Sequence, residues 1–242
     1  MTSSPTNSLP LNSPELLRNL REQALLLAKE LERRQRRNRL ATYQPYSKQL
    51  EFHAAGAEHR ERLFMAGNQL GKTVAGSNEL AMHLTGKYPD WWPGRRFDRP
   101  GRWWAAGETR ESTRDSVQKL LVGSPEIEED WGTGSIPDAD ILDVSRGRGV
   151  PNVIDSVTVR HAAGGAATLL FKCYEQGRAK WQADTLQGVW YDEEPPLDIY
   201  TEGLTRTNAT GGLVFLTFTP LKGMSDVVRM FLSDSDLKAM AK

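Results

Sequence analysis

The sequence predicts an α/β fold: a mostly parallel β-sheet flanked by helices, with a helical N-terminal arm ahead of it. Three observations carry that expectation. The apolar run Leu63-Phe64-Met65 passes through a glycine-bearing turn into the helix-prone residues 74–81, which reads as strand, tight loop and helix. The apolar stretch Gly188-Val189-Trp190-Tyr191 runs into the acids Asp192-Glu193-Glu194, as a buried strand with a polar tip does. A further β-rich run over 212–220 follows it.

Length and composition bound the rest. The 242 residues suit one large domain, or a domain with an appendage. Lys+Arg and Asp+Glu both number 31, so global charge names no partner and a nucleic-acid role has to rest on local basic patches. Cys173 is the only cysteine, which excludes an internal disulfide and fits a reducing compartment; it reads as a small apolar strand residue. The histidines His53, His59, His83 and His161 are scattered and show no zinc spacing. No apolar run approaches the roughly 20 residues of a membrane helix. The polar, proline-bearing N-terminus has no signal-peptide core.

Residues 1–14, rich in Ser, Thr, Asn and Pro, are expected to be disordered. Ser13 is placed to cap a helix, with Pro14 at its first position. Leu16, Leu17, Leu20, Leu27 and Leu31 recur at helical spacing through Glu32. Arg33, Arg34, Arg36, Arg37 and Arg39 then form a dense basic cluster. It reads either as a solvated helix end favoured by the macrodipole or as a contact for DNA or an acidic partner. We therefore divide the chain into a disordered tail and basic helical arm over 1–40 and one α/β domain over 41–242.

Tyr43 to Phe52 lies just upstream of the glycine turn. Gln49 can donate and accept, matching the edge of adenine, and Tyr46 or Phe52 can flank its ring; equally, the segment is amphipathic and its aromatics suit a core. Residues 87–94 form a turn-rich segment whose Trp91 and Trp92 serve as packing anchors. Residues 102–107 read as a second buried strand. Residues 108–122 read as a helix capped by Thr109, with Glu111 and Asp115 early and Lys119 late. A loop rich in Gly, Pro and acids spans 123–138, and a flexible basic loop spans 146–151. Two strands, 153–161 and 167–174, join at the Gly164-Gly165 turn. A short helix over 225–232 precedes a charged tail.

Two stretches carry the chemistry. Gly67-Asn68-Gln69-Leu70-Gly71-Lys72-Thr73 is a phosphate-loop candidate: its glycines let backbone N–H groups curl around phosphate oxygens at a helix start. Lys72 would reach the β- and γ-phosphates, and Thr73 would place its hydroxyl on Mg²⁺. Gly67 and Gly71 lie one residue closer than the strict spacing; counted from Ala66 the looser form fits. The second stretch is the acid block. Asp192 at the strand tip suits the Mg²⁺ shell and Glu193 suits orienting and deprotonating water, with Glu194 the rival base turning away into the loop. Thr217 and Thr219 sit near the C-terminal end of the last strand, where open parallel sheets bind ligands, though β-propensity alone accounts for them. In this order the motifs predict a P-loop NTPase with ATP and Mg²⁺ as cofactors.

Together these residues resemble the ATPase half of the terminase large subunit of tailed bacteriophages. Residues 46–52 resemble its adenine motif and 67–73 its phosphate loop. Residues 174–178 and 190–195 resemble the approach to its magnesium and catalytic acids. Residues 217–223 resemble its coupling segment, giving Thr217 and Thr219 that role. The resemblance covers roughly 43–232 and implies ATP hydrolysis that drives double-stranded DNA into a procapsid. It implies as partners the portal protein, the small terminase subunit and further copies in a ring. It also implies the cytoplasm of the infected host, at the portal vertex, with no membrane association. The charge-stabilising arginine of such loops is missing, since Gln69 stands in its region; Arg110, Arg178 and Arg206 are the candidates, in the same or a neighbouring subunit. The family continues into a nuclease domain, which has no room in this chain, so nuclease activity is not expected of it. A helicase-like translocase and a non-hydrolysing nucleotide-binding assembly protein remain the alternatives.

Overall fold

Trp103 and Trp104 are adjacent in sequence and both fully buried, which requires a strand covered on both faces. The computed structural model describes residues 14–182, 184–220 and 223–232. Its strands are β1 (Glu61–Met65), β2 (Arg102–Gly107), β3 (Ile141–Arg146), β4 (Ile154–Arg160), β5 (Ala166–Cys173), β6 (Gly188–Asp192) and β7 (Leu213–Phe218). They form one sheet of 7 strands in the order β1-β7-β6-β2-β5-β4-β3. β1, β7, β6, β2 and β5 pair in parallel; β4 and β3 extend the sheet as antiparallel strands. One face packs Trp103, Ala105, Trp190 and Phe215 against α2 (Ser47–Ala55) and α3 (Lys72–Thr85). The other packs Trp104, Tyr191, Val214 and Leu216 against α6 (Leu197–Thr207) and α7 (Asp226–Phe231). The expected α/β class, with helices flanking a mostly parallel sheet, is the observed one.

The arm is α1 (Pro14–Arg36), none of whose residues is buried. It runs one turn beyond the expected end, so Arg33, Arg34 and Arg36 are helical. Arg33 and Arg34 pair with Glu30 on the same helix. Arg36 and Arg37 instead reach Asp130 at 2.7 Å and Asp138 at 2.9 Å, so the acidic loop of this chain takes up part of the basic cluster. The expected disorder at the N-terminus, the Ser13 cap and the charged tail lie outside the described residues.

Three points of the sequence reading need correction. Arg146 ends a strand rather than opening a loop: β3 was hidden because, as a half-exposed edge strand, it mixes Ile141 and Val144 with Asp143 and Arg146. Helix α6 was not foreseen, although Pro196 caps it and Ile199, Tyr200 and Gly203 lie on its buried side. The helix expected over 108–122 is three pieces: α4 (Arg110–Thr113), a π-helical Arg114–Gln118, and α5 (Lys119–Leu121). Both tryptophans of the turn-rich segment pack as expected: Trp92 is buried, and the more exposed Trp91 lies against Tyr43, His53 and Trp92.

Candidate active site

The loop after β1 and the loop after β6 emerge from the same end of the parallel strands. The register sets Met65 beside Phe218 and Asp192 beside Thr217, so β7 carries one strand tip to the other. Residues 67–70 are exposed. Gly71 opens α3 with φ 71, a left-handed conformation that suits glycine, and a Cβ there would stand 2.8 Å from the Gln49 amide nitrogen. Lys72 is buried and donates to the Gly67 carbonyl at 2.7 Å. Its cation is thus folded back over the loop.

Asp192 is the centre of a hydroxyl cluster. Its Oδ2 accepts from Ser116 at 2.9 Å and its Oδ1 from Thr217 at 2.9 Å. Thr73, at the start of α3, lies near enough to this carboxylate to favour its charged form. Burial raises the Asp192 pKa, and Thr217, Ser116, Thr73 and the Lys72 charge oppose that rise. Thr217 is itself fixed by the Trp190 indole N–H at 2.8 Å. The Thr219 hydroxyl lies 3.1 Å from the Ala66 carbonyl and 2.9 Å from the Asn68 side-chain oxygen, tying the end of the last strand to the glycine loop.

The acids after Asp192 divide sharply. Glu193 is exposed and holds φ 68; its amide bonds the Thr217 carbonyl at 3.1 Å. The Tyr174 hydroxyl lies 2.9 Å from the Asp192 carbonyl and 2.8 Å from that of Glu193. Burial, and then the nearby acids, push the Tyr174 pKa well above its ordinary value, so the hydroxyl stays a donor. Glu194 does not turn outward as expected. It is buried, because the chain folds inward ahead of α6, and its Oε2 has no hydrogen-bond partner among the described residues.

The adenine-motif residues Tyr46 and Gln49 sit at the loop, where the Gln49 amide is hydrogen-bonded to backbone. Its Oε1 accepts from the Tyr46 amide at 3.2 Å and its Nε2 donates to the Gly71 carbonyl at 2.8 Å. Both ends of the amide are therefore engaged with backbone, and the side chain latches α2 to the phosphate loop. Tyr46 donates to the Leu70 carbonyl and lines an open cleft of about 530 Å³ with Phe64, Met65, Gln69 and Gly71. Phe52 is packed in the core.

The candidate arginines separate. Arg110 follows β2 at the loop end of the sheet, where it bonds the Arg148 carbonyl at 2.8 Å. Arg178 and Arg206 both pair with Glu202 of α6, at 3.0 and 2.9 Å. The Arg206 carbonyl accepts from Leu186, ahead of β6, which puts it at the far end of that strand from Asp192. Ser116 was missed by sequence reasoning: an isolated serine in a helix carries no mark, and only the π-helical turn brings it to Asp192. His53 and His83, far apart in sequence, meet on buried Glu79. Cys173 is buried, and burial with Glu175 beside it pushes its thiol up to about 11, which fits the inert role expected.

Fold and site together define an α/β protein built on a strand–loop–helix unit facing an acid-tipped parallel strand. The family described as "Terminase large subunit, T4likevirus-type, N-terminal" matches residues 63–242, and the chain belongs to that family. It is 46% identical over 227 residues to the terminase large subunit of Salmonella phage P22, covering 87% of this chain and 46% of that one. It is 33% identical over 131 residues to the terminase large subunit of Enterobacteria phage LP7, covering 53% of this chain and 27% of that one. The chain thus spans less than half the length of these curated relatives. Among solved structures, the HK97 bacteriophage large terminase aligns with a TM-score of 0.48 at 13% identity, over 82% of this chain and 38% of that one. Among the described residues no helix is long and apolar enough to cross a membrane.

Proposed function

We propose that the chain is the ATP-hydrolysing motor portion of a terminase large subunit, coupling nucleotide turnover to the movement of double-stranded DNA into a procapsid. The observation that carries this reading is the meeting of the glycine loop and the strand-tip acid at the end of β7, where Thr217 holds Asp192 and Thr219 reaches Ala66 and Asn68 of the loop ahead of Thr73. That donor set fits Mg²⁺, which takes oxygen ligands and needs few from protein when phosphates and water supply the others. Bound there with nucleotide, the ion would neutralise charge developing on the phosphoryl oxygens. Lys72 exchanges the Gly67 carbonyl for the β- and γ-phosphates. Glu193, exposed beside Asp192, orients water and accepts its proton. Tyr46 flanks the base in the open cleft, and Gln49 holds the Gly71 turn. Thr219, bonded to Asn68 and Ala66, reports the state of the loop to the last strand, while Thr217 does so for Asp192.

Arg110 is the arginine best placed to act within the same chain; Arg178 and Arg206 serve α6 or a neighbouring subunit. The reading extends to residues 41–242 as the motor domain and 1–40 as an arm. Its partners are DNA, the portal protein, the small subunit and further copies in a ring, at the portal vertex in the host cytoplasm. Phosphate release from ATP tests it. The chain should hydrolyse ATP with Mg²⁺, and Lys72→Ala should lose most nucleotide binding and essentially all turnover. Equal release by both proteins would overturn the assignment.

A further inference from the structure

The backbone at Glu193 is bent against its preference. A non-glycine residue at φ 68 persists only where its surroundings impose it. Along a strand, successive carbonyls point in opposite directions, so those of Asp192 and Glu193 cannot both face one donor unless the chain turns between them. Both lie within 2.9 Å of the Tyr174 hydroxyl, and the turn at Glu193 is what brings them there. The Thr217 carbonyl holds the same turn from β7 through the Glu193 amide. Tyr174 comes from the end of β5, which β2 separates from β6, so its hydroxyl bridges two strands that do not pair. Its ring is buried against Trp181 and Tyr191, with centroids 6.2 Å from each, so the core fixes where the hydroxyl stands.

We propose that Tyr174 is a positioning residue: its hydroxyl pins the left-handed turn at Glu193 and thereby sets where the Glu193 carboxylate stands relative to the phosphate loop. The proposal rests on Glu193 being the base, and its test separates the two. Tyr174→Phe keeps the ring and removes only the hydroxyl. Its nucleotide affinity and magnesium requirement should stay within about two-fold of wild type. Single-turnover hydrolysis should fall roughly 10- to 100-fold, the scale of a catalytic group misplaced by about an ångström. In a Glu193→Gln background the same change should cost nothing more, because a pin has no effect once the base is gone. 4-Aminophenylalanine at position 174 restores an N–H donor and should recover turnover, whereas 4-fluorophenylalanine should not; this comparison holds even if Tyr174→Phe folds poorly. Wild-type turnover in Tyr174→Phe, a further loss in the double variant, or equal turnover with the amino and fluoro residues would overturn the proposal. Wild-type turnover in Glu193→Gln would remove the underlying reading, and the proposal with it.

Discussion

Gln49 illustrates how a side chain with both a donor and an acceptor can be spent on its own fold. Its amide closes the N-terminus of α2 and holds the Gly71 carbonyl, so the base is not its only possible target. Gln49→Ala leaves the Tyr46 amide and the Gly71 carbonyl without these partners. Nucleotide affinity should then drop roughly ten-fold, the worth of about one buried hydrogen bond left unmade. The drop should be equal for ATP and GTP, as fluorescent-nucleotide titration would show; a loss confined to ATP returns Gln49 to the adenine edge. Lys72, Thr73 and Asp192 were legible from sequence because glycine-lysine-threonine after a strand, and an acid ending an apolar run, are local patterns. Ser116, the inward turn of Glu194 and the clustering of His53 with His83 depend on contacts between distant segments, and no local pattern announces them.

Helix α3 sets the height of the phosphate loop above the sheet, and Gly76 sets the height of α3. A Cβ at Gly76 would stand 2.5 Å from the Trp190 indole, whose N–H holds Thr217, which in turn holds Asp192. Gly76→Ala should gain about 1 kcal/mol in helix propensity and lose about 1–3 kcal/mol to overpacking. Denaturant unfolding should therefore show a net loss of up to about 2 kcal/mol. Turnover should fall with it, because the displaced ring carries Thr217. Unchanged turnover, or a net gain in stability, would mean that α3 has slack the structure does not show. The strands that were read correctly, such as β2, β6 and β7, are apolar runs buried on both faces. The edge strand β3 lacks that mark. The helix over 110–121 was legible as a helix from its cap and charges, but its π-helical segment was not.

The whole molecule is held across its parallel half by a buried polar cluster. Glu79 of α3 accepts from His53 of α2 at 2.7 Å, from His83 at 3.4 Å and from Arg62 of β1. Burial pushes the Glu79 pKa up, but Arg62 and the two histidines outweigh it and hold the carboxyl well below the ordinary 4.5. Burial, opposed by Glu79, lowers the His83 pKa from 6.5. Both shifts make the fold less stable in acid. As pH falls below 6.5 the unfolded chain protonates His83 first, so stability declines from there. The Glu79 contribution is complete above 4.5 and is lost as pH falls through its lower folded value. Denaturant titrations from pH 8 to pH 4 should show the first decline, and His83→Gln should remove it; an unchanged profile would locate the acid sensitivity elsewhere. Such a cluster ties α2, α3 and β1 into one body. The central claim is that this body presents one hydrolytic site, with Asp192 at the metal and Glu193 at the water. Single-turnover hydrolysis alongside nucleotide titration tests it most directly. Glu193→Gln should bind ATP with Mg²⁺ as wild type does and turn over slower by roughly two to four orders of magnitude, the worth of a positioned base. Normal turnover in Glu193→Gln, with the slow and tightly bound behaviour appearing in Glu194→Gln instead, would contradict it.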